Sequence, residues 1–174
     1  MMKKINIALT CIMIVLVGVF AYFLYFYDTS SQLNTTRYDD AYEELVNQST
    51  YESTFDYATI YGTKTASTGP TPHRITVSFH SATETLSNFR VLIVDETEKN
   101  HPSNERYSKY PTLGLFDDYS YSMIISTETE GDISRYAYTF DYATANDISS
   151  VLIYVSYKVG TSTTDNVYLQ VGLV

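Results

Sequence analysis

The chain has no tryptophan and, in 174 residues, a single cysteine. That residue, Cys11, sits inside a charge-free apolar stretch interrupted only by Asn6 and Thr10, so everything C-terminal to it has neither a disulfide nor a thiol nucleophile. This excludes a disulfide-stapled ectodomain and any thiolate-dependent transpeptidase, and it leaves the hydrophobic core to hold an outer domain together. Such a domain suits a bacterial envelope better than a small animal ectodomain. Histidine is nearly as scarce. His73, His80 and His101 fall in a proline-containing turn, on a polar strand face and in a loop, and none lies in a nucleophile motif. The chain also lacks a phosphate-binding loop, a dinucleotide fingerprint and zinc-ligand spacing, so an enzyme is the least expected class.

Cations are few. Eleven Lys and Arg face twenty Asp and Glu, and two of the cations, Lys3 and Lys4, belong to the N-terminal tip. The remainder carries a net charge of −11, which repels phosphate backbones and argues against nucleic acid as a partner.

What the chain has instead is one long apolar run. The 23 residues Ile5–Tyr27 contain no charge and as a helix would rise about 34 Å, enough to cross a hydrocarbon core of roughly 30 Å. Aromatic residues crowd its C-terminal end and Lys3 and Lys4 precede it, so the positive-inside rule predicts a cytoplasmic N-terminus and an external C-terminal domain at the cell membrane. Cleavage after Val19-Phe20-Ala21 would leave an aromatic end poorly suited to water, so a signal-anchor is expected instead. Ala8-Leu9-Thr10-Cys11 faintly matches a lipobox but has few apolar residues before it, and Cys11 is expected simply to pack within the span. The expected organisation is 1–27 tip and transmembrane helix, 28–50 juxtamembrane linker and helix, and 51–174 extracytoplasmic β-domain.

Thr36-Arg-Tyr-Asp39 has capping-box spacing, and Tyr38, Ala41, Tyr42 and Leu45 follow at helical spacing, predicting a packing helix from Thr36 to about Gln48. From Tyr51 onward period-two alternation predicts seven strands: Phe55–Tyr61, Arg74–His80, Phe89–Asp95, Tyr119–Ser126, Ser134–Tyr142, Val151–Val159 and Val167–Leu173. The fold class is mainly β, an antiparallel two-sheet sandwich of about seven strands. ITVSF, FRVLIV, IYVSYKVG and VYLQVGL resemble the second, third, sixth and seventh strands of an immunoglobulin or fibronectin type III domain. A different Greek-key sandwich or a small barrel would satisfy the same alternation.

TFDYAT occurs twice, at Thr54–Thr59 and Thr139–Thr144. The flanks diverge at once and only thirty residues follow the second copy, too few for a duplicated domain. Both copies are therefore expected to be strands with Phe55 and Phe140 on an aromatic inner face.

Two candidate sites emerge. The long break Thr97–Asp118 gathers Lys99, Arg106, Tyr107, Lys109 and Tyr110, types suited to a partner-binding surface on an acidic domain. A hairpin joining Tyr119–Ser126 to Ser134–Tyr142 would bring Asp117 and Asp118 near Asp141 and Asp147, an oxygen-rich cluster of the kind Ca²⁺ takes. Fifteen tyrosines follow the span, and their inward alternation favours core over a sugar-stacking surface. The expected function is a membrane-anchored binding or assembly module for another envelope or cell-surface protein. An accessory subunit of a secretion, conjugation or division machine, with a span that also makes contacts, is the alternative.

Overall fold

The structure, a computed structural model, describes residues 12–23, 37–95, 115 and 119–174. The chain falls into two units, residues 1–36 and Arg37–Val174. The first contributes helix α1, residues 12–23, whose side chains are all exposed. It covers part of the expected span Ile5–Tyr27, and among the described residues no helix is long and apolar enough to cross a membrane.

The second unit begins with helix α2, residues 37–46, followed, among the described residues, by eight strands: β1 (Thr59–Ala66), β2 (His73–His80), β3 (Leu86–Asp95), β4 (Ser122–Met123), β5 (Ser134–Arg135), β6 (Ala137–Thr144), β7 (Ser150–Val159) and β8 (Asp165–Gly172). They form a three-stranded sheet, β1-β2-β6, and a five-stranded sheet, β5-β4-β3-β7-β8. The mainly β, two-sheet expectation holds.

The two sheets differ in how many faces they bury. In the three-stranded sheet Ile75, Val77 and Phe79 of β2 are fully buried while their neighbours stay accessible, the alternation of a sheet with one wet face. In the five-stranded sheet the central strands read as continuous buried runs, Val91–Asp95 and Ser150–Tyr157. Val91, Ile93, Val151, Ile153 and Val155 face the core between the sheets, joined by Phe79, Phe89, Phe140 and Leu169. Leu92, Val94, Leu152 and Tyr154 point the other way and are covered by Tyr38, Ala41, Tyr42 and Leu45 of α2. The helix is thus a third layer. Its apolar stripe and the second apolar face of the sheet remove each other from water. Two hydroxyls pin it, Tyr51 donating to the Leu45 carbonyl at 2.9 Å and Tyr168 to Glu44 at 2.9 Å.

A bulge in β3 sets the phase of the core. The register with β7 shifts between Ser87 and Arg90, with Asn88 at φ 50°, a conformation asparagine tolerates better than most residues. Leu86 and Phe89, three positions apart, both face inward as a result.

Three expectations are corrected here. The first TFDYAT is not a strand: the Ala58 amide bonds back to the Phe55 carbonyl at 3.4 Å, and β1 starts only at Thr59. Phe55 is buried all the same, edge-on to Tyr157 at 5.2 Å, but Tyr61, which period-two alternation along the expected strand Phe55–Tyr61 would set on the same face, is 53% exposed. The second copy is a strand, with Phe140 against Phe79 at 6.0 Å. The identical hexapeptide therefore takes two backbones, because the second copy lies along β2 throughout whereas the first meets β2 only at Thr59, opposite His80.

The expected hairpin between Tyr119–Ser126 and Ser134–Tyr142 does not form. β4 and β5 are two-residue strands and pair parallel, Ser122 with Ser134. The chain then crosses at Tyr136 into the other sheet as β6. Tyr138 secures the crossing by directing its hydroxyl at the carbonyls of Ser122 and Ile133, 2.9 and 3.1 Å away. Burial pushes its pKa up to about 12.

Candidate functional site

The outer face of the three-stranded sheet is built from short polar side chains in cross-strand rows. Register places Tyr61, Ser78 and Thr139 in one row and Thr63, Thr76 and Asp141 in the next. The Ser78 and Thr139 hydroxyls are 3.3 Å apart. Asp141 accepts from the Thr76 hydroxyl and, at 3.2 Å, from the Arg74 guanidinium. The Thr76 bond and then Arg74 hold the Asp141 carboxyl below its usual range. Tyr61 stacks on His80 with ring centroids 4.7 Å apart.

The edges of the two sheets are treated unequally. β8 is covered by Glu52, whose amide and carbonyl bond to Tyr168 and Gln170, each at 2.9 Å. β1 is covered by the C-terminus: Val174 donates to Gly62 at 3.1 Å and accepts from Lys64 at 3.0 Å. β5 is only two residues long. Short or covered edges are the usual protection against stray strand pairing.

β6 is different. Gly62 and Lys64 bond outward to Val174, so the even-numbered residues of β1 turn their backbone groups away from β2. Carrying that parity through the β1–β2 and β2–β6 registers turns the amides and carbonyls of Ala137, Thr139, Asp141 and Ala143 away from the sheet. Among the described residues none of these groups has a backbone partner. This eight-residue edge has no proline, lysine or bulge to blunt it.

The residues singled out by sequence fare variously. Lys99, Arg106, Tyr107, Lys109, Tyr110, Asp117 and Asp118 lie outside the described residues. Leu115 is described, and its amide bonds to the Val91 carbonyl at 2.9 Å, beside β3. Asp141 and Asp147 are each held by a different cation. Asp141 has Arg74, and Asp147 has Lys64 at 2.8 Å. The Lys64 hydrogen bond and charge keep the Asp147 carboxyl below its usual range. Among the described residues no group of three or more His, Cys, Asp or Glu is placed to hold a metal ion. The placement of Asp117 and Asp118 beside Asp141 rested on a hairpin that does not form, since β6 pairs with β2.

Clefts among the described residues include two on the second unit. One of about 230 Å³ is lined by Ser53, Thr54, Phe55, Ala58, Thr59 and Ile60, a lining that holds hydroxyls and no titratable side chain. The other, about 440 Å³, is lined by Asp40, Glu43, Glu44, Asn47 and Gln48 along α2. Neither sets a nucleophile beside a base.

The β6 edge was missed in the sequence because Ser134–Tyr142 reads as one strand. The strand divides at a bend at Tyr136, and the tight turn at Gly131–Ser134, closed by reciprocal bonds of 2.9 and 3.2 Å, lies just ahead of β5. No protein-family model, curated protein or solved structure matches this chain.

Proposed function

We propose that this chain is a single-pass protein of the cell membrane, anchored by Ile5–Tyr27 with its N-terminus in the cytoplasm. Its β-sandwich is a non-catalytic binding and assembly module displayed outside toward an envelope or cell-surface protein. The observation that carries the reading is the β6 edge, which none of the described residues covers, in a domain that covers or shortens its other three. A sheet edge recruits an extended segment through main-chain hydrogen bonds, with alternate side chains supplying selectivity.

The module is of the immunoglobulin or fibronectin type III kind. The strand order supports this: the first and second strands join β6 in one sheet, while β3, β7 and β8 lie side by side in the other. That is the Greek-key partition of such sandwiches. The apolar, aromatic-ended stretch ahead of α2 supports the anchor.

The test uses single cysteines in a Cys11→Ser chain, labelled on intact cells with a membrane-impermeant maleimide. A cysteine at Thr163, in the exposed turn between β7 and β8, is expected to react without lysis. One at Thr139, on the β6 edge, is expected to be shielded by the docked partner. Labelling of Thr163→Cys only after lysis removes the external placement. Equal labelling at both positions removes β6 as the docking edge.

A further inference from the structure

We propose that the strand docking on β6 is β6 of a second copy of this chain, paired antiparallel about a two-fold axis through Phe140. The inference rests on the reading of β6 as a docking edge and names its occupant.

The residues from Ala137 to Ala143 read Ala-Tyr-Thr-Phe-Asp-Tyr-Ala. Reversed, they read Ala-Tyr-Asp-Phe-Thr-Tyr-Ala. The segment is a palindrome apart from one exchange of Thr for Asp. Antiparallel pairing about Phe140 sets Ala137 opposite Ala143 of the partner, and Thr139 opposite Asp141 of the partner. These four residues are the ones whose amides and carbonyls turn outward, so the symmetric register is also the one in which the ladder closes. The pairing is isologous, as a two-fold interface requires.

The side chains agree on both faces. On the outer face each Thr139 hydroxyl meets a carboxylate across the axis. Asp141 already accepts from Thr76 and Arg74, and a carboxylate has about four lone-pair sites, so it has room for a third donor. Its charge reaches the interface with Arg74 beside it rather than alone. At the two ends, Ala137 against Ala143 leaves nothing bulky to hold the strands apart. On the inner face Phe140 meets Phe140 and Tyr138 meets Tyr142 as non-hydrogen-bonded pairs, the closer kind, in which aromatic partners are favourable. Two three-stranded sheets become one of six strands. The overall charge of −9 per chain opposes association of two copies, and salt screens that repulsion.

The test begins with the full-length Cys11→Ser chain in its membrane, carrying Ala137→Cys and Ala143→Cys together. Across the axis the two positions form a hydrogen-bonded pair with Cα atoms about 5.5 Å apart, within disulfide range. Along one strand they are about 20 Å apart and cannot join. Oxidation is expected to give a covalent dimer from the double variant. Sedimentation of the otherwise native chain in detergent is expected to show a monomer–dimer equilibrium that tightens with salt.

Three substitutions at Thr139 then fix the register, with far-UV circular dichroism as the check on folding. Thr139→Lys faces Asp141 of the partner twice and is expected to tighten the dimer about fivefold. Thr139→Asp faces it with like charge and is expected to weaken the dimer by a similar factor. Thr139→Pro removes an outward amide that the β2–β6 ladder does not use, and is expected to weaken the dimer about tenfold or more. A monomer at every concentration with no disulfide overturns the proposal. So does a dimer that responds alike to Lys and Asp, whether or not the proline variant folds. Shielding of Thr139→Cys on cells, combined with a purified monomer, leaves β6 as a docking edge and assigns it a different occupant.

Discussion

Replacing Gly62 with alanine tests the closure of the sandwich at a single atom. Gly62 lies in β1 at an ordinary strand conformation, since the glycines at positive φ are Gly69 and Gly160. A Cβ there would sit 2.9 Å from Leu173 Cδ2, 3.0 Å from the Gly172 carbonyl oxygen and 3.2 Å from Val171 Cγ1. The leucine tip can rotate, but the Gly172 carbonyl belongs to the backbone of β8. Relief therefore means moving the C-terminal segment off β1, with loss of the Val174–Gly62 and Lys64–Val174 bonds. Two such bonds contribute about 2 kcal/mol together. Removing a glycine from a strand returns about 0.5–1 kcal/mol. The net expectation is a destabilisation of about 1–1.5 kcal/mol, near 3–6 °C in Tm for a unit of this size. Urea unfolding followed by circular dichroism gives the energy, and hydrogen exchange at the Lys64 and Val174 amides gives the location. Gly172→Ala is the control, because a Cβ there meets nothing within 4 Å. A Gly62→Ala protein as stable as its parent, with both amides still protected, would refute the close approach as the reason for glycine.

Leu45 of α2 is fully buried against the five-stranded sheet, and Leu45→Ala is expected to cost about 2–5 kcal/mol in urea unfolding, as core truncations do; a cost below about 0.5 kcal/mol would mean that the helix does not cover the sheet. Tyr138 ties stability to alkaline pH. Its pKa is raised by burial from 10 to about 12, so the folded chain keeps a proton that the unfolded chain has lost. The contribution is whole below pH 10 and disappears as pH rises through 12. Tyr138→Phe is expected to flatten the fall in stability over that window, read from urea midpoints at pH 9 to 12, and an unchanged slope would count against the buried hydroxyl.

Local pattern alone determined a good deal of this protein. The four positions picked out by helical spacing, Tyr38, Ala41, Tyr42 and Leu45, are the four that α2 buries, because such spacing puts residues three and four apart on one face whatever they dock against. β2 was legible for the same kind of reason: Ile75, Val77 and Phe79 alternate with polar neighbours, and period two admits one orientation. Other features had no local signature. The continuous apolar runs of β3 and β7 are buried on both faces, but a run without alternation does not say what covers its second side, and α2 supplied that answer from a distant part of the chain. TFDYAT is the sharpest case, one hexapeptide with two backbones, turn and strand, since strand propensity is realised only where a neighbouring strand completes the ladder. Strand pairing is a long-range property, and it decided that Ser134–Tyr142 divides at Tyr136 between two sheets. The same division leaves β6 at the border of its sheet, with four residues turned outward and the palindrome along its edge.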